Sequence, residues 1–566
     1  MGALPGAQGS FTGEALRHRT EAWKRIEGAG FDVCVIGGGA TGSGTALDAQ
    51  LRGLNTVLIE AGDFASATSS RSTKLIHGGI RYLQEAVTDF DPGQYNVVKR
   101  ALHERRIMLE NARFLAHPME FLVPCYSWWE AFYYGIGTKI YDRIAGKQNF
   151  FASRFRSAKD AVARWPLLQR DGLKGAIAYG DGQFDDARYC IALVQTFSEA
   201  GGEALNHARV VGLQRDAGGK LCEAAIEDQL TGARTTVRAR IFVNCTGPYS
   251  DHIRRMANPG VEQRLRLSKG VHILLPLDER TRDAMVVPKT DDGRVIFAIP
   301  WLGRLLVGTT DDEVTQEDEL VVKRSEALYL LKQLNRFLSR PFAIEGIVGG
   351  FAGVRPLVSQ CKGAKTKKLI REHEVEVDPG TGLISVLGGK WTTYRAMAED
   401  AVNAVQQQLG LPVGGCITRD SHLSGSEGYS EAYPQTLVAS YGVDESTARH
   451  LSEKFGTRAA AVLDLAMQEP ELAQPLVEAY PAIRSEIAYS ARYEMAATLD
   501  DVLERRTGLQ FFSWQAATLA APIAAAVMQR EMGWSAEQTQ REVAEYVSML
   551  VARTQKIGLA KDAAKA

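Results

Sequence analysis

Three glycines near the start of the chain have the spacing of a dinucleotide-binding turn. Gly37, Gly39 and Gly42 form the pattern G-x-G-x-x-G. The first glycine permits a tight turn, the second lets the backbone approach a pyrophosphate, and the third lets a helix and a strand pack closely. The phosphates would then lie at a helix amino terminus, where free N–H groups and the helix dipole favour negative charge. The chemistry predicted here is the binding of a dinucleotide cofactor.

The elements around this turn are those that the binding chemistry requires. Residues 33–36 predict a short apolar strand, residues 43–52 a helix, and residues 56–59 a second strand that is followed by Glu60. A carboxylate at this position accepts hydrogen bonds from the hydroxyl groups of the adenosine ribose. The pattern indicates a βαβ dinucleotide-binding unit, but the glycine motif alone does not separate FAD from NAD.

Composition argues against several other classes of function. The 566 residues include 66 Lys and Arg against 67 Asp and Glu, so the formal net charge of −1 gives no bulk field for binding nucleic acid. The cysteines are scattered without a C-x-x-C pair, which argues against a disulfide framework and a zinc site. We expect no metal, no nucleic-acid partner, no export signal and no transmembrane segment. A reducing compartment fits the cysteine content best.

A polar segment follows the βαβ unit and begins a series of motifs. Residues 69–83 read SSRSTKLIHGGIRYL, followed by FDDAR at 184–188, NCTGPYSD at 244–251, GTTD at 308–311, GVRP at 353–356, REH at 371–373 and GGKWTTYR at 388–395. This set resembles the FAD-dependent sn-glycerol-3-phosphate dehydrogenases of the aerobic, quinone-linked type. The motifs are in that family's order and span most of residues 31–400, so the set is more specific than any member of it.

The resemblance implies oxidation of sn-glycerol 3-phosphate to dihydroxyacetone phosphate. A hydride leaves the substrate carbon for FAD, a base removes the hydroxyl proton, and a membrane quinone accepts the electrons. The protein must then anchor a phosphate dianion, a task that suits the planar, paired N–H groups of arginine. Arg355 and Arg371 are predicted to bind the phosphate, and Arg81 and Lys390 to lie nearer the hydroxyl group and the flavin. Tyr82 is predicted as a further substrate-binding residue.

His77 is the predicted general base. A neutral imidazole can take the alcohol proton, and the resemblance implies a position beside the flavin. The alternative is a histidine that only hydrogen-bonds the flavin or a backbone carbonyl group, and both interpretations stay open. With His77, the predicted catalytic set comprises Arg81, Arg355 and Lys390.

The predicted FAD-binding residues are distributed over several stretches of the chain. The resemblance implies that the serine-rich segment contacts the pyrophosphate and the isoalloxazine ring. Backbone N–H groups of the turn before residue 394 could face the pyrimidine edge. The set comprises Gly37, Gly39, Gly42, Glu60, Ser69, Ser70, Arg71, Lys74, His77, Gly78, Gly79, Thr246, Gly247, Gly388, Gly389, Lys390, Thr392 and Thr393.

Residues 126–155 are unusually aromatic and predict a helix with one apolar face. That face comprises Trp129, Phe132, Tyr133, Ile136 and Ile140, flanked by Lys139, Arg143 and Lys147. Such a face can lie in a membrane interface, or it can be core under a substrate domain. The resemblance favours the membrane, because dehydrogenases of this family are typically peripheral membrane enzymes. It implies a cytoplasmic protein at the inner face of the cell membrane.

The order of predicted elements indicates an α/β and α+β protein. Strands at 175–179, 240–244, 271–275, 295–299, 305–307 and 383–386 and a helix at 91–114 interleave, and helices follow at 445–455, 457–467, 485–505, from near Pro522, and at 536–552. We expect a mobile leader at 1–30 with one short helix and a Rossmann-like FAD-binding domain at 31–410. A mixed-sheet substrate domain would be interleaved at roughly 111–190 and 260–345. A linker at 411–428 and a helical carboxyl-terminal domain at 429–566 would follow.

Other interpretations stay open beside this one. The protein could be a glycerol-3-phosphate oxidase that reduces oxygen to hydrogen peroxide, or a flavoprotein that binds FAD without turnover. An amine or amino-acid oxidase would have the same fold, but its substrate would leave the cationic positions without a phosphate. The carboxyl-terminal domain, with DDVLERRT at 500–507, could form a homodimer, support the substrate domain or dock a partner.

Overall fold

Two large sheets and a helical carboxyl-terminal region make up the computed structural model. It describes residues 19–79, 92–359 and 373–559, without the side chains of residues 92–95. The strands are β1 Gly30–Ile36, β2 Thr56–Ile59, β3 Leu75–Ile76, β4 Ala116–Cys125, β5 Arg154–Ser157, β6 Gly175–Phe184, β7 Glu203–Leu205, β8 Ala208–Arg215, β9 Leu221–Asp228, β10 Arg234–Asn244, β11 Leu265–Pro276, β12 Ala284–Val287, β13 Ile296–Trp301, β14 Arg304–Gly308, β15 Asp312–Val314, β16 Gly349–Val358, β17 His373–Val377, β18 Ile384–Gly388, β19 Pro475–Val477 and β20 Tyr480–Ile483.

The helices lie on the faces of the sheets and fill the carboxyl-terminal region. They are Arg19–Ile26, Ala40–Leu51, Pro92–Asn111, Trp128–Ala145, Ala158–Arg164, Asp186–Glu199, Ser250–Ala257, Arg324–Asn335, Tyr394–Leu409, Tyr433–Tyr441, Glu445–Phe455, Ala459–Gln468, Arg484–Tyr493, Leu509–Phe512, Trp514–Met532 and Ala536–Ile557, with a π-helix at Asp501–Arg506. Within the described residues, none of these helices combines the length and the hydropathy needed to cross a bilayer.

The first sheet brings several chain turns to one edge. Its strand order is β17-β18-β10-β1-β2-β7, and β8 and β9 extend it beyond β10. Strands β18, β10, β1, β2 and β7 run parallel. β1 and β2 are almost wholly buried, as the continuous apolar runs of a parallel sheet covered on both faces require. The turns after β1, β2, β10 and β18 therefore meet at the carboxyl edge, where open α/β sheets bind ligands.

The second sheet is mixed and connects the first sheet to the helical region. Its strand order is β15-β11-β14-β13-β12-β4-β6-β3, with β16 paired to β11 and β5 paired to β6. One continuous core contains residues of β11 to β14, of helix Arg324–Asn335 and of the carboxyl-terminal helices, among them Leu275, Leu330, Tyr489 and Trp514. A separate core lies around the first sheet. The helical region therefore packs on the second sheet as part of the same folded body.

Two predictions about elements need correction. The helix predicted at 485–505 ends at Tyr493, and a separate π-helix follows, because the Asp501 carboxylate accepts hydrogen bonds from the N–H groups of Ala497 and Thr498. The helix predicted from near Pro522 begins at Trp514, and the proline lies in its interior on an exposed face. The short helix expected within residues 1–30 is Arg19–Ile26, and it is buried at Ala22 and Ile26. Residues 1–18 lie outside the described residues.

Candidate active site

The glycine turn joins β1 to helix Ala40–Leu51 and leaves no room for side chains. Gly37 has a φ of +109°, and a Cβ atom there would lie 2.6 Å from the Cys245 carbonyl oxygen. A Cβ atom on Gly42 would lie 1.7 Å from the Gly37 carbonyl oxygen. Gly39 precedes the helix and provides no side-chain cap. All three predicted glycines thus lie where the backbone makes close approaches, at a helix amino terminus suited to phosphate.

Glu60 follows β2 and lies beside the glycine turn. Its carboxylate accepts hydrogen bonds from the N–H of Gly38 at 2.5 Å and from the N–H of Gly62 at 2.8 Å. Burial raises the pKa of Glu60, although these two hydrogen bonds act in the opposite direction. The carboxylate is therefore fixed in orientation at the edge of the sheet, as its predicted role requires.

The serine-rich segment lies across the start of the same helix. The Ser69 hydroxyl accepts a hydrogen bond from the N–H of Ala40 at 2.9 Å. The Ser70 hydroxyl is buried and has no hydrogen-bond partner among the described residues. Ser69 is thus placed close to the predicted pyrophosphate position, and the hydroxyl of Ser70 has hydrogen-bonding capacity to offer a ligand.

The two cations of this segment contact other parts of the protein. Arg71 donates to Glu504 at 3.2 Å. The buried ammonium group of Lys74 donates to Asp186 at 2.5 Å and to the Ser70 carbonyl oxygen at 2.6 Å. These side-chain contacts are internal, so the predicted cofactor contacts of Arg71 and Lys74 would involve their remaining atoms and stay predictions.

His77 lies where the two sheets meet. Its backbone N–H donates to the hydroxyl of Thr392, which follows β18 of the first sheet, at 3.4 Å. Its ring lies 6.3 Å from the ring of Phe297 on β13 of the second sheet. The structure therefore brings the predicted base to the junction between the nucleotide-binding edge and the second sheet.

A buried polar network holds the turn after His77 in place. The N–H of Gly78 donates to the Tyr141 hydroxyl at 2.9 Å, and that hydroxyl donates to Asp181 at 2.9 Å. Arg105 donates to the same carboxylate at 2.5 Å. Burial raises the pKa of Tyr141 well above its usual value, so the phenol remains a donor at neutral pH. Gly79 has a φ of +85°, a conformation that favours glycine.

The turn after β10 completes the middle of the carboxyl edge. The Thr246 hydroxyl donates to the Asn244 side-chain oxygen at 2.7 Å. Gly247 has a φ of +54°, and a Cβ atom there would have no described atom within 4 Å. This predicted turn therefore faces open space beside the glycine turn.

The turn after β18 contains the predicted FAD-binding residues between Gly388 and Thr393 in one compact loop. Gly388 and Gly389 have φ values of +70° and +84°, and a Cβ atom on Gly389 would lie 2.4 Å from Met397 side-chain atoms. The N–H of Thr393 donates to the Lys390 carbonyl oxygen at 3.0 Å. The two glycines thus allow a tight reversal that places Lys390 at the edge of the sheet.

A cleft of about 400 Å³ opens beside this turn. Among the described residues its lining includes Lys390, Thr393, His373 and Arg100. Asp400 accepts hydrogen bonds from His373 at 2.7 Å and from Arg100 at 2.8 Å. The cleft therefore places Lys390 next to an accessible space.

Arg355 lies on β16 of the second sheet, beside the GTTD motif. Its guanidinium donates to the Thr309 hydroxyl at 2.8 Å and to the Thr310 carbonyl oxygen at 3.1 Å. The adjacent Val354 carbonyl oxygen accepts a hydrogen bond at 2.7 Å from Thr68, the residue that precedes the serine-rich segment. The structure thus places Arg355 on a strand in direct contact with the predicted cofactor segment. Arg81, Tyr82 and Arg371 lie outside the described residues.

His272 is a site residue that sequence reasoning missed. It lies on β11, and its Nε2 is 3.0 Å from the Thr73 hydroxyl. Its Nδ1 is buried without a hydrogen-bond partner among the described residues. Burial, with the charges of Arg355 and Lys74, holds the pKa of His272 well below its usual value, so the ring is neutral. A histidine in the apolar strand predicted at 271–275 was the available signal.

The FDDAR motif is an ion-pairing element. Asp185 accepts from Lys454 at 2.7 Å, and Arg188 donates to both oxygens of Glu494 at 2.7 and 2.8 Å. The Asp186 carboxylate accepts a hydrogen bond from the buried ammonium group of Lys74 in the serine-rich segment. The motif therefore ties this segment to the carboxyl-terminal region.

Comparison with known proteins agrees with this arrangement. A family model described as FAD dependent oxidoreductase matches residues 32–395, and one described as the C-terminal domain of alpha-glycerophosphate oxidase matches residues 416–539. The chain is 40% identical over 525 residues to mitochondrial glycerol-3-phosphate dehydrogenase of Rattus norvegicus, covering 91% of this chain and 72% of the relative. It belongs to the FAD-dependent glycerol-3-phosphate dehydrogenases. The Arabidopsis thaliana member is 38% identical, covering 90% of this chain and 84% of the relative.

Solved structures confirm the predicted fold class of this dehydrogenase. The glycerol-3-phosphate dehydrogenase of Bacillus halodurans, complexed with FAD, is 30% identical with a TM-score of 0.77, covering 96% of this chain and 98% of that chain. The FAD-bound L-alpha-glycerophosphate oxidase of Mycoplasma pneumoniae shares the fold, with a TM-score of 0.53 at 17% identity over 67% of this chain and 95% of that chain.

The residues present fit FAD, the cofactor of this family. The three glycines keep the turn free of side chains at close approaches to neighbouring atoms, and Glu60 is fixed at the end of β2. The Ser70 hydroxyl has no hydrogen-bond partner among the described residues, and a Cβ atom on Gly247 would have none of their atoms within 4 Å, so both positions leave room for a ligand. The edge of the first sheet would hold the adenosine and pyrophosphate, and the junction at His77 would hold the ring.

Proposed function

We propose that the enzyme oxidises sn-glycerol 3-phosphate to dihydroxyacetone phosphate and passes the electrons to a membrane quinone. The observation that carries this proposal is the position of His77 between Thr392 and Phe297. A base at this junction lies between the cofactor edge and the sheet that bears Arg355. The names of the relatives, at 38–40% identity, support the choice of substrate.

The residues divide the work of the reaction among them. FAD, when bound, accepts the hydride from the substrate carbon. His77 takes the hydroxyl proton as a neutral imidazole, while the hydrogen bond from Gly78 to Tyr141 holds its turn in place. Arg355, held by Thr309, binds the phosphate through paired charge-assisted hydrogen bonds.

Arg371 is proposed to bind the phosphate with Arg355. Arg81, Tyr82 and Lys390 are proposed to lie nearer the reacting hydroxyl group. A phosphate dianion needs several cations around it, because taking its charge out of water is costly unless it is paired. This requirement supports a phosphorylated alcohol over an amine or an amino acid as the substrate.

Turnover with two acceptors tests the proposed reaction. The purified holoenzyme should reduce a soluble quinone analogue with sn-glycerol 3-phosphate and show no turnover with glycerol, which lacks the phosphate. Hydrogen peroxide formation in air at the same rate would overturn the quinone assignment and favour an oxidase, the class named in the description of the carboxyl-terminal family model. Bound FAD without any turnover would favour a non-catalytic flavoprotein.

The helix Trp128–Ala145 supports a membrane surface as the site of electron delivery. Trp128, Trp129 and Phe132 are 65%, 70% and 59% exposed, although aromatic residues are normally buried. Tyr133, Ile136, Phe151 and Phe155 extend this exposed patch, and Lys139, Arg143 and Lys147 are exposed beside it. Aromatic residues with flanking cations suit the headgroup region of anionic lipid. We place the enzyme peripherally at the inner, cytoplasmic face of the cell membrane.

Vesicle flotation without detergent tests this surface. The native enzyme should float with vesicles that contain anionic lipid, and W129S/F132S should remain in the soluble fraction. Leu519→Ser is a matched control, because Leu519 is 62% exposed on another helix. Recovery of the native enzyme wholly in the soluble fraction, with and without anionic lipid, would contradict the membrane proposal.

A further inference from the structure

The π-helix Asp501–Arg506 is buried although most of its side chains are charged. Asp501, Glu504, Arg505 and Arg506 are each at most 2% exposed. Buried charges are stable only when they are paired and hydrogen-bonded. Several of the partners lie in the loops that form the cofactor site, far away in the sequence.

Asp63, in the loop after Glu60, is the first of these partners. Arg505 donates to it at 2.7 Å, and Arg506 donates to both of its oxygens at 2.7 and 3.0 Å. The same loop is connected to Glu60, whose carboxylate accepts from the N–H of Gly62 at 2.8 Å. The two arginines therefore fix the loop that carries the ribose-binding carboxylate.

Arg71, in the serine-rich segment, is the second partner. It donates to Glu504 at 3.2 Å, and Gln510 donates to the other Glu504 oxygen at 2.5 Å. Burial would raise the pKa of Glu504, but Arg71 and Arg553 hold it at about 2, so the group stays charged. The serine-rich segment is thus attached to the same π-helix as the Glu60 loop.

This cluster is an ion-pair network. Asp63, His207 and Asp501 place ligand atoms within 4.8 Å of one another, a spacing that a metal ion could use among the described residues. Arg505 donates to Asp501 at 2.6 Å, in addition to its contact with Asp63. His207 lies 2.9 Å from the other Asp501 oxygen. The carboxylates are thus already paired with arginine side chains, which leaves the site without the negative charge that would favour a cation.

We propose that the π-helix positions the FAD-binding loops, so that the carboxyl-terminal domain sets the affinity of the enzyme for FAD. Glu504 acts through Arg71 on the serine-rich segment, and Arg505 and Arg506 act through Asp63 on the Glu60 loop. These are positioning residues, because they contact the loops and the loops contact the cofactor. The domain thereby has a role in cofactor binding in addition to its packing on the second sheet.

Two features of the network suit this role. A buried ion pair of this kind often contributes no more stability than well-packed apolar residues would, so its charges need another reason. Directional pairs fix the distance and the orientation of a loop, which apolar contacts do less strictly. A loop that is already ordered also loses less conformational entropy when FAD binds.

Glu504→Gln is the principal test, because it removes the charge and keeps the shape. We expect the FAD dissociation constant, measured by flavin fluorescence on reconstituted apoprotein, to rise about 5- to 150-fold, the usual range for coupling between sites. Arg71→Gln should raise it similarly, and the double variant should add little to either change, because both remove the same pair.

Glu531→Gln is the matched control. Glu531 accepts from Arg492 at 2.6 and 2.8 Å within the carboxyl-terminal domain. It loses an ion pair of the same kind away from the loops, so FAD affinity should stay native. An unchanged FAD dissociation constant in Glu504→Gln, with thermal stability lowered as in Glu531→Gln, would overturn the proposal and leave the π-helix a purely structural role.

Hydrogen exchange on the native chain tests the proposal without a variant. Since coupling is reciprocal, FAD binding should slow the exchange of amides at 497–507 as well as those at 60–74. Protection at 60–74 alone, with 497–507 exchanging equally in apoprotein and holoenzyme, would contradict it. This measurement decides the matter even if Glu504→Gln fails to fold.

Discussion

Two helical regions reach the cofactor-binding turns, and they differ in what they expose. The carboxyl-terminal domain buries its aromatic residues Trp514 and Trp534 and also buries the charged π-helix. The helix Trp128–Ala145 buries Tyr141 on one side and exposes Trp128 and Trp129 on the other. The contacts of the first region with the cofactor-binding loops are therefore buried, whereas the second region connects the cofactor site to the outer surface.

The two regions also hold different halves of the cofactor site. Ion pairs from the π-helix fix the loops at Asp63 and Arg71, on the adenosine and pyrophosphate side. The Tyr141 hydroxyl accepts a hydrogen bond from the N–H of Gly78, on the side of the predicted reaction. Changes in the first half should alter FAD affinity, and changes in the second half should alter turnover. Four predictions test this division, in decreasing order of effect.

His77→Asn should give the largest effect. Loss of a positioned general base lowers turnover on the order of a hundredfold or more, while the absorbance spectrum should show FAD still bound. The measurement is turnover with a soluble quinone analogue at saturating FAD, compared with Glu504→Gln, which should lose affinity and keep most of its turnover. Near-normal turnover would refute the base assignment and favour a histidine that only hydrogen-bonds its neighbours.

Arg355→Lys should give the next largest effect. Lysine keeps the charge but lacks the planar fork, so paired hydrogen bonds to a phosphate are lost. Each hydrogen bond to a charged group contributes about 1.5–3 kcal/mol, which corresponds to a decrease of roughly 10- to 160-fold in kcat/KM. FAD affinity should stay native. A kcat/KM for sn-glycerol 3-phosphate close to the native value would argue against phosphate binding by Arg355.

Tyr141→Phe should give a moderate effect on the flavin side. It leaves the N–H of Gly78 and the Asp181 carboxylate each without one hydrogen bond, which costs about 1–3 kcal/mol of unfolding free energy. Turnover should fall more than FAD affinity. Tyr133→Phe, on the exposed face of the same helix, is the matched control and should behave as the native enzyme. Equal turnover in the two variants would show that the Tyr141 hydroxyl has no role on the flavin side of the site.

His207 should give the smallest effect, visible as a pH dependence. Burial alone would lower the pKa of His207, but Asp501 and Asp63 raise it above its usual value, and Arg19 opposes them. The stability from protonated His207 is fully present below pH about 6.5 and is lost as pH rises through the raised pKa. As pH rises from about 6.5 through the raised pKa of His207, His207→Gln should therefore lose less thermal stability than the native enzyme. Parallel pH curves for the two proteins would rule out this contribution.

Local patterns explain the parts of the fold that could be predicted. The glycine turn, β2 and helix Glu445–Phe455 depend on residues close in sequence, and the predicted ranges match them well. The surroundings of the break after Tyr493 could not be predicted, because Glu494 pairs with Arg188, which is 306 positions away in the sequence. The interior Pro522 was equally misleading, because the Ser513 cap starts the helix eight residues earlier than the proline suggested.

The sequence indicated which residues follow the strands of the first sheet, but it did not indicate which side chains those residues contact. Gly37 follows β1 and Glu60 follows β2, as the pattern predicted, whereas the position of His77 beside the flavin stays a prediction. The carboxylates that engage Lys74 and Arg71 could not be foreseen, because Asp186 and Glu504 are distant in sequence and meet these cations only in the folded chain.

Anaerobic absorbance spectroscopy of the purified holoenzyme tests the proposed function most directly. We expect the flavin band to bleach on addition of sn-glycerol 3-phosphate and to remain unchanged on addition of glycerol. That result would establish the cofactor, the substrate class and the phosphate requirement together. A flavin band that persists with sn-glycerol 3-phosphate would contradict the proposed substrate, whatever the fold.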